Sequence, residues 1–473
     1  MNTETKIRAT LAARASTVAV LMTIVAVDAR PQSVQPRLMP DAESGRSTVV
    51  ADVSDSKALG YVGNRKFLID AQGMAYCAVR TRGPQGYPTV CLLRSVERWP
   101  DTDRFDSVWL EDRPGCEVST APQRHPTIAA TGDGNVHIVW YGGTGLEPAH
   151  QIRYARFTTA GDLRLAEEIE PFSVAGFEQV YAGPLTGDEL WQEHPCIAAG
   201  SDGLIYLAWE ARDPSRLNKL GAPQPGISWA VRAADGSWSV SGPVGTPPYA
   251  QVDGRFPSQS RPTLVAGASG EMHIVCYGSV GGTQQILHGV LRDRAFSGWS
   301  VVSPSPGDQR QVSAACDPSG RLHVAWREGI TGVGAAPASV AIEYASIDPL
   351  GKVAGPLRIS PVGENASTPS ITADGGAVSI AWVAWAPGAV NSEGKRDNGF
   401  PSDNSLVEGK LEICSRTSGS ASFGAVVPLD AGPASYPTWA SRSIADGSPE
   451  ALLWTRAKPG NKHQLRLGRV TPR

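Results

Sequence analysis

Charge is scarce in this sequence. Only 19% of its 473 residues are charged, the formal net charge is −3 and the pI is about 6.3. That balance gives no footprint for nucleic acid and no electrostatic grip on a membrane surface. Cysteine is also sparse: seven residues, at positions 77, 91, 116, 196, 276, 316 and 414, without a C-x-x-C pair. No metal-ligand spacing is visible, so neither metal nor cofactor is expected. An odd count leaves at least one thiol unpaired unless two chains join; Cys77 and Cys91 could bridge one hairpin, while Cys196 and Cys276 read as buried small hydrophobes. Long apolar runs are missing as well. Ala15 to Val27 is too short to span a bilayer comfortably, but Lys6, Arg8 and Arg14 precede it and Val27-Asp28-Ala29 offers small residues after it. This pattern predicts a signal peptide over residues 1–29, with an uncleaved anchor as the alternative, and then a flexible leader over 30–46. A secreted or periplasmic, monomeric protein with no membrane association after cleavage is expected.

What the chain does have is turn-forming residues, Gly 51 and Pro 37, beside a normal 41% of apolar ones. It also has a repeat. "HPTIAATGDGNVHIVWYGG" begins at His125 and "HPCIAAGSDGLIYLAWEAR" at His194. Drifted copies start at Arg65, Arg261, Arg310, Thr368 and Tyr436, roughly 50 to 70 residues apart. Each copy runs from a short apolar stretch through a Gly-rich, often Asp-bearing turn into an alternating stretch such as Val136 to Trp140, which is the period of a half-buried strand after a hairpin turn. Third strands follow, such as "QIRYARF" from Gln151, and fourth strands are suggested near Trp238 and Trp299. The fold class expected is therefore all-β: a seven-bladed β-propeller (alternative six-bladed), with four antiparallel strands per blade, occupying residues 47–473 as one domain. Two stacked sandwiches are the runner-up. "STVVADV", from Ser47, is expected to supply the outer strand missing from the last copy.

In a blade the first strand lines the central channel, and a hairpin returns to the face where it began. The residues opening each copy and those following each repeated Trp should therefore converge on one mouth. Those openers include Arg65, His125, His194, Arg261, Arg310 and Tyr436; after the second strand come Arg80, Tyr141, Glu210, Arg212, Arg327 and Glu328. Guanidinium groups match carboxylates and sulfates, and aromatic faces suit sugar rings. The mouth is thus expected to take an acidic glycan or another anionic ligand. Long connections at 210–226, 327–339 and 386–409 would project from the same face. The interior His137, His273 and His323 read as packing residues, and Trp140, Trp209, Trp326, Trp382 and Trp454 as wedges between blades. Asn365-Ala366-Ser367 is a glycosylation sequon.

The motif "DPSGRLHVAW" and its relatives resemble the BNR-repeat, sialidase-like β-propeller superfamily, over roughly residues 60 to 470. The copy from His125 also resembles the histidine-bearing segment of BNR-type polysaccharide lyases. A sialidase-like chemistry implies Arg65, Arg261 and Arg310 on a substrate carboxylate, with Tyr436 or Tyr141 as nucleophile activated by Glu210 or Glu328. A lyase-like chemistry implies His125 or His194 taking the proton alpha to a uronate carboxylate that an Arg neutralises, with a Tyr serving the leaving group. Arg80, Arg212 and Arg327 would join in substrate binding. The Asp-box, Ser-x-Asp-x-Gly-x-x-Trp, and the Arg-Ile-Pro element are not cleanly present, so a non-catalytic lectin-like or protein-binding propeller is the alternative.

Overall fold

The computed structural model describes residues 37–38, 47–54, 56–83, 86–110, 123–142, 151–158, 178–184, 191–217, 223–240, 258–330, 339–373, 376–395, 406–417, 420–442, 450–460 and 462–471. By internal contacts the chain divides into Met1–Gln32 and Ser33–Arg473; the expected signal peptide lies outside the described residues.

Every regular element described is a strand. The alternation read along Asn135–Gly142 forms one: it returns from the Asp133-Gly134 turn antiparallel to Arg124–Ala130, and Gln151–Thr158 and Glu178–Pro184 extend the sheet outward. The same four-strand meander recurs from Trp191, Gln259, Asp308 and Phe67. Fourth strands fall at Trp238–Val240 and, in two pieces, at Ala295–Phe296 and Ser300–Val301. An eight-stranded sheet holds two further meanders that share one long strand, Val427–Trp439. Its first part pairs with Gly409–Thr417 as an outer strand, and its second part pairs with Glu450–Lys458 as an inner one. The last meander is completed by Thr48–Val53, which pairs antiparallel with Lys462–Thr471. The chain's beginning and end are thus hydrogen-bonded together, as the run from Ser47 predicts.

Burial is concentrated between meanders. Leu68, Tyr76 and Val108 pack on Ile128, Trp140 and Phe157; Val139 and Tyr154 pack on Leu207 and Trp209. Clusters of this kind link each meander to the next, and Val53, Phe67, Cys77 and Leu93 meet Leu453 and Leu465 to join the last to the first. Four of the five repeated Trp residues rank among the largest fully buried side chains. Each of the five still needs an acceptor for its indole N–H. Gln123 Oε1 accepts from Trp140 at 2.8 Å, Glu412 Oε2 from Trp382 at 3.0 Å and Asp430 Oδ2 from Trp454 at 2.9 Å, while Gln192 serves Trp209. The wedge reading holds, with a polar anchor attached to each wedge.

Cys77 and Cys91 do not bridge the hairpin: Cys77 faces Leu93 across it and Cys91 faces Val79, so they are not a cross-strand pair. The Asn365 sequon is not displayed. Asn365 is buried, and its side-chain oxygen accepts from the Val340 N–H at 3.2 Å, so a glycan there would have to break a packed contact.

Replacing Trp382 with Ala should cost about 3–5 kcal/mol, through the cavity and the lost hydrogen bond to Glu412 Oε2 together. Urea denaturation of the purified variant measures this directly.

Candidate functional site

The repeat's opening residue has a specific backbone. In six meanders the ladder between first and second strands skips register at the same place, for instance between Arg124 and Thr127, Glu193 and Cys196, and Ser260 and Thr263. The skipped residue is left-handed: φ is 51° at His125 and His194, 54° at Arg261, 53° at Gln311 and Thr368, and 49° at Tyr436. Each is a β-bulge, which turns a side chain out of the strand's normal alternation. Proline follows the opener at 126, 195, 262, 369 and 437; a residue bulged out of the ladder has no N–H to lose.

The bulge corrects the sequence register in one copy. Gln311, not Arg310, holds the opening position after Asp308. Arg310 stays in the ladder opposite Arg327 and donates from Nε to Asp308 Oδ2 at 2.7 Å. In the first copy, Arg65 lines a cavity of about 590 Å³ along the inner strands, which runs from Tyr61 and Tyr436 to Ala71, Gly132 and Ser201. Its carbonyl accepts from the Ile128 N–H at 2.8 Å. A glutamine stands two residues before the opener at 123, 192, 259 and 309, and Gln259 and Gln309 accept backbone N–H groups of the preceding meander at Ile227 and Ile286. That recurring Gln was the signal that could have set the register.

Three openers do converge. The imidazoles of His125 and His194 stack with ring centroids 4.8 Å apart. Tyr141 reaches both, at 5.0 and 5.7 Å. Tyr61, which the repeat does not contain, lies 3.7 Å from His125 and 5.1 Å from His194. The Arg261 guanidinium sits 3.9 Å over the Tyr61 ring and donates from Nε to Tyr277 Oη at 3.1 Å. Tyr61 arrives on a segment held among the inner strands: Gly63 O accepts from Thr263 Oγ1, and a Cβ at Gly63 would lie 2.7 Å from Val312 O. Glycine is required there, at φ 91°.

A margin of charge surrounds this aromatic cluster. Glu210 Oε2 lies 3.2 Å from His194 Nδ1 and Glu193 Oε2 3.7 Å from it. Arg212 Nη2 stands 3.8 and 3.9 Å from those two carboxylates and its guanidinium lies over Trp191. Lys66 is fully buried, donates to Pro126 O at 2.7 Å, and is brought down to about 7 by that burial. Burial likewise holds His125 well below the ordinary imidazole value, helped by the charges of His194, Lys66, Arg261 and Arg80. His194 is lowered by burial and Arg261, against the pull of Glu210. Burial first, then the charge on Glu193, raises the Tyr141 phenol. The result is a neutral imidazole at His125, whose Nδ1 is buried without a hydrogen-bond partner, beside a protonated phenol and a guanidinium.

The remaining candidates sit elsewhere. Glu328 is a wedge anchor: it accepts from Trp326 Nε1 at 2.9 Å and from Ser305 Oγ. Arg327 is fully buried. Tyr436 packs in the apolar cluster with Val53, Leu406 and Leu453. Gln311 accepts from the Thr368 N–H at 3.0 Å, tying neighbouring meanders together. Of the long connections expected at the mouth, residues 218–222, 331–338 and 396–405 lie outside the described residues. The interior histidines are packing residues, as expected: His137 bonds Tyr154 Oη at 2.7 Å and His323 bonds Tyr344 Oη at 2.6 Å.

No protein-family model matches this sequence, and no curated protein matches it. Solved structures do. Polysaccharide lyase Uly1 is similar with a TM-score of 0.50 at 12% identity, over 86% of this chain and 90% of that one. A PL25 ulvan lyase gives 0.46 at 13%, over 88% and 95%. Trypanosoma rangeli sialidase gives 0.44 at 9%, over 93% and 58%. At such identities the likeness is one of fold. Several of the similar structures are by title polysaccharide lyases, sialidases or arabinan-degrading enzymes.

Two outcomes follow. Glu328→Ala should destabilise by about 1–3 kcal/mol in urea, since it strands the Trp326 indole N–H. Acid should weaken the fold through the packing histidines. Burial lowers His137 to about 3 and His288 and His323 to about 4, whereas the unfolded chain titrates near 6.5. The unfolded state therefore binds more protons between roughly pH 6.5 and 4, and the melting temperature should fall steadily across that window.

Proposed function

We propose that the protein is an exported, seven-bladed β-propeller that binds a uronate-bearing acidic glycan at the mouth formed by His125, His194, Arg261, Tyr61 and Tyr141, and cleaves it by β-elimination. Seven meanders in one domain over residues 47–473, closed by pairing of Thr48–Val53 with the last meander, account for the inter-sheet clusters described above. Residues 1–29 then serve as the export signal.

One observation carries the chemistry: the buried, neutral His125 with an unpartnered Nδ1, held between two tyrosines and beside Arg261. Elimination can be carried out by that combination. A neutral imidazole accepts the C5 proton of the uronate, and Arg261, with Arg80, offsets the carboxylate charge that makes this carbon acidic. The C5–H electron pair becomes the C4–C5 double bond as the C4–O bond breaks, and the departing oxygen takes its proton from Tyr141. A raised phenol is the correct state for a donor. The proton on His125 then resets the site.

The sialidase-type reading has less support. It would draw Arg65, Arg261 and Arg310 onto one carboxylate, yet Arg310 stays in its strand ladder and is held by Asp308. A non-catalytic receptor would use the same mouth and differs only in the absence of product.

Incubation with a panel of uronate polymers, sulfated and unsulfated, should give ultraviolet-absorbing unsaturated ends. His125→Ala should lower the rate by about 10²–10⁴-fold, and Arg261→Ala should weaken binding, both with melting temperatures close to the parent. The acid limb of the rate should lie below the ordinary imidazole value, because burial lowers His125. Binding without product would establish the receptor instead; indifference to every acidic polymer would overturn the whole reading.

A further inference from the structure

We infer that Glu193, His194 and Glu210 form a binding site for a divalent transition-metal ion of the zinc type. Their ligand atoms all lie within 4.8 Å of one another. His194 Nδ1 stands 3.2 Å from Glu210 Oε2 and 3.7 Å from Glu193 Oε2. Around an ion with bonds of about 2.1 Å in tetrahedral array, neighbouring donors are roughly 3.4 Å apart. The two separations from His194 are close to that spacing, and each residue is buried, which separates the trio from an ordinary surface acidic patch.

The backbone explains why such a set exists. Glu193 and His194 are consecutive and would point to opposite faces of a regular strand. The left-handed bulge at His194 breaks that alternation, and the hairpin pairs Glu193 directly with Glu210. The donor set is one imidazole and two carboxylates, a mixture that suits zinc, cobalt or manganese rather than an all-oxygen calcium cage. A second imidazole, His125, stacks on His194 and carries a buried ring nitrogen without a hydrogen bond.

Charge is the counterargument, and it yields a test. Arg212 neutralises part of the two carboxylates, but its Nη2 lies 3.8 and 3.9 Å away, beyond hydrogen-bonding distance, on a side chain 38% exposed. It can withdraw toward Trp191 as an ion enters. The ion and Arg212 therefore compete for one pair of carboxylates. A bound ion would also add positive charge beside His125; that consequence rests on the elimination reading, whereas metal binding does not.

Tag-free, chelator-stripped protein, titrated with Zn²⁺ by calorimetry and with Co²⁺ by visible absorption in the absence of any glycan, tests the site. One equivalent should bind, with a cobalt spectrum of low coordination number, and the melting temperature should rise with ion concentration. Glu210→Gln, close to isosteric, should weaken binding by at least about tenfold and change the spectrum. Arg212→Ala should tighten it. No saturable binding by the parent protein, or an unchanged affinity and spectrum in Glu210→Gln, would overturn the proposal. A metal-free parent that still eliminates would leave the glycan reading intact, and a metal-binding protein inert toward glycans would leave this one intact.

Discussion

A single backbone constraint organises this molecule: at the start of each inner strand one residue is bulged into the left-handed region, and its neighbours hold it there. For non-glycine residues that conformation costs on the order of 1–3 kcal/mol each, and the fold carries it six times. Proline at the following position and glutamine two before it make the cost tolerable. One needs no ladder donor, and the other is anchored in the inter-sheet hydrogen bonds that Gln259 and Gln309 make. Without the bulge, His125, His194 and Arg261 would alternate with the strand and bury against neighbouring sheets. With it, they leave the pleat and meet.

The same geometry gives two different outcomes around the molecule. In the meanders opening at Gln311, Thr368 and Tyr436 the bulged residue is used for cohesion, through the Gln311–Thr368 hydrogen bond and the packing of the Tyr436 ring. In those opening at His125, His194 and Arg261 it gathers titratable and cationic groups around Tyr61. The asymmetry comes from the segment carrying Tyr61 to Gly63, which contacts Thr263 and Val312 and supplies an aromatic ring where the repeat has none. Burial then does the electrostatic work, keeping the imidazoles neutral and the phenol protonated.

Much of the architecture could be read from residue order. Period-two alternation and Asp-Gly turns located the hairpins, the recurring Trp located the inter-sheet wedges, and the run from Ser47 was correctly assigned to the last sheet. Convergence of His125, His194, Arg261, Tyr141 and Glu210 was also legible, because antiparallel pairing obliges strand starts and strand ends to share a face. Where the reading slipped, it slipped by one residue. Arg310 looks like an opener by charge, but a bulge adds a residue that alternation does not register. Glu328 looked catalytic beside Arg327 and is instead the acceptor for a buried indole. Tyr61 and Glu193 went unnoticed: one lies outside the repeat, and the other stands beside a histidine that ordinary strand geometry would turn the opposite way.

Sequence alone determined the all-β class, the repeated meander, its wedges and the strand that joins the chain's two ends, because these follow from local periodicity and turn chemistry. Tertiary structure alone decided which openers meet, which arginines are buried, that Cys77 and Cys91 stay apart, and that Glu193, His194 and Glu210 share one small volume. Those are distances across separate strands and sheets, set by bulge register and packing between meanders. A linear pattern carries strand period but not the one-residue offsets on which such distances depend.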